Sequence, residues 1–391
     1  MTRVLHVISG LGSGGAECFL ASLAPRLAAA GIEQHVVSLT GHGVAADRLH
    51  AAGIPVSLLD VRGVLKAPLA IRRLSRLIRS FEPDSIQGWM YHGDLFAALA
   101  RKLAGDGRSR LHWGIRCSDM NLNDYSRQLR LAVKACAMLS SYPDTVVANS
   151  EAGVRVHAAG GYTPRAWRVI ANGIDTNEFH ADLAQRAAVR AELGLDPHQV
   201  VVVNVARVDP MKDHAIFVAA MSRARGACAL LIGLGTDALN TPPQILGLGR
   251  RRDIARLLTA GDIIVSSSAY GEGFSNAVAE GMAAGLVPVM TDVGDARNIV
   301  GDTGVIVPPH DAVLLGNAIN SIAAMSPDHR RTRGEAARGR IMSEFNIERA
   351  VSRYCELYGG VESADKLCLT IGQDVSDLAD LAQARLDGRY S

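Results

Sequence analysis

Residues Val4–Glu17 read VLHVISGLGSGGAE. The apolar run Val4–Ile8 reads as a buried strand, and AECFLASLAPRLAAAG behind the loop reads as a helix. Between them Gly10, Gly12 and Gly15 spell G-x-G-x-x-G. A strand, a glycine loop and a helix form a βα unit whose free amides suit an anion. A nicotinamide dinucleotide would also need a carboxylate about 20 residues on to hold its ribose. The next strand, EQHVVSLT, ends Val37-Ser38-Leu39-Thr40 without one, which weighs against that cofactor. A loop for another phosphate chemistry and a tight turn that only permits close helix packing both stay open here.

Working outward, PVSLLD, SIQGW, RLHWGIR and DTVVANS follow with helical patterns between most of them. Such alternation predicts a parallel, doubly wound α/β sheet. The stretch PRAWRVIANGIDTNEFHAD (164–182) is rich in turn residues and reads as a linker. A second series then begins: QVVVVNVARV, CALLIGLG, QILGLG, DIIVSSS, VPVMTDV and GVIVPP. The expectation is two Rossmann-like domains facing across a cleft, 1–174 and 175–345, with 346–391 returning to complete the first. Ligands of such sheets bind at the carboxyl ends of the strands.

Bulk properties exclude several classes. The 391 residues carry a formal charge of +2, which gives no global case for nucleic acid. Six scattered cysteines without a C-x-x-C pair read as cytosolic thiols, and twelve histidines without close spacing offer no metal site. Met1-Thr2-Arg3 runs straight into the first strand, so no signal peptide is expected, and no apolar stretch is long enough to span a bilayer. The protein is expected to be cytoplasmic, soluble or peripheral on the inner face of a membrane.

The chemistry concentrates in the second half. GEGFSNAVAEGMAAG sets Glu272 and Glu280 astride a helix start predicted at Phe274–Asn276. The amides of Gly273, Phe274, Ser275 and Asn276 would be the orphan donors of that terminus and favour an anion. Carboxylates accept from hydroxyls, so acids on both sides of an anion site suit a molecule with sugar hydroxyls at both ends and a diphosphate between. In VNVARVDPMKDH, Arg207 and Lys212 follow a strand and could neutralise a departing diphosphate.

With these residues in place, GGAE, VANS, ANGID, ARVDPMK, DIIVSSSAYGEGFSNAVAEGMAAG and DTGVIVPP, in that order, resemble the GT-B retaining glycosyltransferases of family 4 over roughly residues 3–358. The diagnostic element is the E-x7-E pair Glu272 and Glu280. The resemblance implies a nucleotide-sugar donor as substrate, with UDP favoured and GDP next, a saccharide or polyprenyl-linked acceptor, and no cofactor or metal. It places Arg207 and Lys212 on the donor phosphates, Glu272 on the transferred sugar and Glu280 on the ribose. Gly12, Gly14 and Gly15 become a loop closing over the donor, and His92 a residue near the transferred sugar. Arg116, at another strand end, is a candidate acceptor contact. Transfer with retention by front-face substitution is the expected mechanism.

Departures from the family pattern are a shortened Thr236–Gln244 segment, Asn298 where many relatives carry an acid, and an extension after residue 358. In that extension Val375, Leu378, Leu381, Ala382 and Leu386 have amphipathic helical spacing. The helix LAIRRLSRLIRSFEPD carries Arg72, Arg73, Arg76 and Arg79, a pattern open to anionic lipid or to simple solvation. Rival readings are a sugar-nucleotide epimerase or hydrolase on the same scaffold, a non-catalytic nucleotide-sugar binder and, last, an NAD oxidoreductase.

Overall fold

The structure is a computed structural model describing residues 1–12, 14–61 and 63–359, with the Val64 side chain left out. The amphipathic pattern at 375–386 therefore lies outside the described residues.

Among the described residues thirteen strands form two sheets, with parallel pairing in each. In the first are β1 (Arg3–Ile8), β2 (Glu33–Ser38), β3 (Val56–Leu58), β4 (Ser85–Trp89), β5 (Arg110–Ile115), β6 (Thr145–Ala148) and β7 (Trp167–Val169), in the order β3-β2-β1-β4-β5-β6-β7. The second holds β8 (Val200–Val205), β9 (Ala227–Ile232), β10 (Ile245–Gly247), β11 (Ile263–Ser266), β12 (Val287–Thr291) and β13 (Val305–Val307), in the order β10-β9-β8-β11-β12-β13. Two doubly wound α/β sheets are thus present, as the alternation predicts. One strand was not expected: β7 lies inside the turn-rich stretch read as linker.

Parallel strands covered on both faces read as unbroken apolar runs, and β8 illustrates this. Val201 and Val203 enter one core with Leu257, Ile264, Met282 and Ile299. Val200 and Val202 enter the opposite core with Phe217, Val287 and Ile319.

The described chain forms two compact units. The first comprises 1–88, 96–111 and the described residues from Glu348 on; the second comprises 89–95 and 112–347. The helix Ile347–Tyr358, which lies in the first unit from Glu348 on, is tied in by polar contacts. Arg110 donates to the Tyr358 carbonyl at 2.8 Å, and the Tyr358 hydroxyl donates to Gln87 at 3.3 Å.

Candidate active site

In the second sheet the strand order reverses between β8 and β11, which pair directly. Such a reversal splays the outgoing loops and opens a crevice at the carboxyl edge. From β8 comes Arg207, then a 3-10 turn (Pro210–Lys212) capped by the Asp209 carboxylate, which accepts from the Met211 amide. From β11 come Ser267, Ser268 and the loop to Glu272. The two loops are stitched together by Ser267 Oγ donating to the Lys212 carbonyl (2.8 Å) and the Ala269 amide donating to the Met211 carbonyl (2.8 Å).

The stitching brings Lys212 Nζ to 2.5 Å from Glu272 Oε1, and Ser268 Oγ donates to the same oxygen at 2.7 Å. Glu272 is only 7% exposed. Burial pushes its pKa up, but the Lys212 charge, the two hydrogen bonds and the field of Arg207 outweigh it, so the carboxyl lies below its ordinary value. Arg207 is more exposed and donates from Nη2 to Asp209 at 2.7 Å. Each cation thus rests on a protein carboxylate.

A small open recess lies here, lined among others by Asn204, Lys212, Ser266, Ser268, Glu272 and Ser275. Asn204 is 2% exposed; its amide donates to the Val265 carbonyl, and its Oδ1 has no partner among the described residues. The helix Asn276–Ala283 starts at the rim, and its N-cap Ser275 makes no side-chain capping bond. Glu280 is half-buried four residues in, about 6 Å along the axis. Phe274 points the other way: its ring is in the core, 5.2 Å from Phe345, and anchors the turn.

Supports come from the ends of β5, β6, β7 and β12, within the same unit, and sequence reasoning missed Asn172 and Asp295 among them. Arg116 lies over the Trp89 ring at 4.5 Å and donates to Asn172 Oδ1 at 2.9 Å. Asn172 then donates to Asn276 Oδ1 at 2.7 Å. Arg116 therefore steadies the helix start as well as being the expected acceptor candidate. Asp295 accepts from the amides of Glu151 and Ala152, each at 2.9 Å, while its own amide donates to the Gly273 carbonyl at 3.1 Å. A Cβ on Gly273 would collide with Asn149, so the VANS segment sets how closely this turn can approach. His92 is half-buried in the first turn of the helix Met90–Ala104, and burial lowers its pKa.

The glycine loop belongs to the other unit. The Leu11 amide donates to Gly41, and Gly12 accepts from the Ala45 amide at 3.2 Å. Gly14 is the N-cap of the helix Gly15–Ala29 and makes no side-chain cap, while Glu17 folds back so closely that a Cβ on Gly14 would strike its carboxylate. Thr236–Ala238, in the shortened segment, is a single 3-10 turn leading to β10.

Residues 13–178 match Glycosyltransferase Family 4, and residues 199–324 match Glycosyl transferases group 1. A D-inositol 3-phosphate glycosyltransferase from Mycobacterium sp. (strain KMS) is 29% identical over 177 residues, covering 41% of this chain and only 40% of that relative. The lipopolysaccharide core biosynthesis glycosyltransferase LpsD of Rhizobium meliloti (strain 1021) is 25% identical over 365 residues, covering 90% of this chain and 94% of the relative. Among solved structures, Anabaena Alr3699/HepE in complex with UDP and glucose superposes with a TM-score of 0.79 at 22% identity, over 92% of this chain and 100% of the other. The two family matches and the paired parallel sheets agree: the chain belongs to the family 4, group 1 glycosyltransferases of the GT-B fold.

Proposed function

We propose that the chain transfers a hexose or N-acetylhexosamine from a nucleotide sugar to a saccharide or lipid-linked saccharide, with retention and without a metal. A UDP-sugar is the favoured donor and a GDP-sugar the next. The observation that carries the reading is the Lys212–Glu272 pair at the foot of the uncapped helix, with Arg207 close enough to act on the same carboxylate. The likeness to a lipopolysaccharide core enzyme and to a fold solved with UDP and glucose supports cell-surface polysaccharide or glycolipid synthesis. In this proposal 175–345 is the donor lobe, 1–174 with the chain from 346 is the acceptor side, and the site of action is the cytoplasm.

The donor diphosphate takes Lys212 from Glu272, and the freed carboxylate accepts from the sugar hydroxyls. Gly273–Asn276 amides and Arg207 meet the remaining phosphate charge, and Glu280 the ribose. The acceptor oxygen attacks the anomeric carbon on the face from which phosphate leaves. The carbon–phosphate oxygen bond breaks, the new glycosidic bond forms, and the acceptor proton passes to the departing phosphate oxygen. His92 orients a hydroxyl of the transferred sugar, and the loop of Gly12, Gly14 and Gly15 closes over the donor, limiting hydrolysis. Fixed charge aimed at the leaving group supplies most of the rate enhancement.

The test is a transfer assay over UDP-, GDP- and ADP-sugars with saccharide and lipid extracts as acceptors, product anomers read by NMR, with and without EDTA. Retained configuration and EDTA-resistant turnover support the proposal. Donor consumption equal with and without acceptor favours a hydrolase or epimerase, and tight donor binding without transfer favours a binding subunit.

A further inference from the structure

Between Asp60 and Glu82 lie six cations and no carboxylate. The helix Ala67–Phe81 in this stretch buries Ala70, Leu74, Ser75 and Ile78 and turns its other face to solvent. On that face Leu65, in the preceding 3-10 turn, is 97% exposed and Leu69 is 52% exposed. Arg72, Arg73 and Arg76 continue it, all exposed, with no ion pair or side-chain hydrogen bond among the described residues. Arg79 is different: it donates to the Leu103 and Ala104 carbonyls and so ties down the end of the neighbouring helix. Lys66 reaches Asp60 only at 3.9 Å.

From this face we infer that the protein docks on an anionic lipid bilayer, with Leu65 and Leu69 entering the acyl boundary and Arg72, Arg73 and Arg76 meeting lipid phosphates. Two features select a bilayer over a soluble polyanion. Unpaired arginines alone would suit either. At the head of the same stripe Leu65, almost wholly in water, and the half-exposed Leu69 gain where hydrocarbon can receive them, which is the pattern of an interfacial helix. In a parallel sheet each connecting helix begins at the carboxyl edge. The leucine end therefore lies at the edge where the glycine loop leaves β1, within one unit. A lipid-linked substrate held by the bilayer would be presented at that edge. The inference stands without the transferase proposal: vesicle binding with no sugar-nucleotide turnover would keep the former and remove the latter.

The test is co-sedimentation of the full chain with phosphatidylcholine vesicles, with and without an equal part of phosphatidylglycerol. Binding is expected only with the anionic lipid, weakening as salt rises. Each cation near such a surface is worth about fivefold in partition, so Arg72→Glu, Arg73→Glu and Arg76→Glu together should lower it about 100-fold or more. The corresponding triple Arg→Lys variant should restore most of it. Leu65→Ser with Leu69→Ser, which changes no charge, should weaken vesicle binding while leaving retention on inorganic polyphosphate unchanged. No sedimentation of the wild type with anionic vesicles, or unchanged sedimentation of either variant, overturns the inference. So would vesicle binding that polyphosphate abolishes equally in wild type and leucine variant, which would mark a soluble-polyanion site.

Discussion

Glu272 is a buried acid kept charged by what surrounds it. Desolvation alone would raise its pKa; Lys212 at 2.5 Å, Ser268 at 2.7 Å and the field of Arg207 outweigh that effect. Removing one member should leave the others mismatched, because a charge buried without its partner is costly. Lys212→Ala should lower turnover by about 100- to 1,000-fold, the range for loss of one preorganised charge-stabilising donor. Glu272→Gln retains the shape but not the charge, and should also lower turnover strongly. Steady-state donor consumption checks both, and near-normal rates in both would remove the assignment. These residues were legible because they stand in short runs at strand ends. Asn172 was not, since its bond to Asn276 joins residues 104 positions apart and no local pattern announces it. Ser268 lay in view within SSS, but nothing in the run singled it out as the serine that bonds Glu272.

The turn at Gly273–Ser275 is held as an element by contacts from outside the helix that follows it. Asp295 caps the helix Glu151–Ala159 with both oxygens and holds the Gly273 carbonyl with its amide. Asp295→Ala should destabilise the protein by roughly 1–2 kcal/mol, the scale of a lost cap. Urea unfolding checks this. Gly294 has φ +65, and a Cβ there would collide with the Glu272 carbonyl. Gly294→Ala should therefore cost roughly 2 kcal/mol or more through strain and overpacking; an unchanged denaturation midpoint would contradict this account of the turn. Most strands were visible beforehand, since a strand buried on both faces reads as a continuous apolar run. β7 escaped because Trp167-Arg168-Val169 is a three-residue edge strand among turn residues, with only β6 as neighbour. Asp295 escaped because GDAR reads as an ordinary loop, and its partners lie more than 140 residues away.

Across the whole molecule, the ionisable interior should set the response to acid. Burial lowers the pKa of His6, to about 4, and also those of His35, His92, His157 and His214. The unfolded chain binds protons near pH 6.5 that the folded chain refuses. Stability is therefore complete above that value and falls as pH drops through the window, for His6 down to about 4. His6 alone should contribute on the order of 3 kcal/mol to that fall; urea denaturation between pH 7.5 and 4 checks it, and a flat profile would contradict the buried-neutral state. Among the described residues no helix is long and apolar enough to cross a membrane. The central claim is that the crevice between β8 and β11 holds a nucleotide sugar through Lys212, Arg207 and Glu272. Thermal unfolding with UDP-, GDP- and ADP-sugars tests it most directly. One donor at 100 times its Kd should stabilise the wild type by about 2.7 kcal/mol, and Lys212→Ala should lose most of that gain. No stabilisation by any donor, or an equal gain in the variant, would contradict the claim.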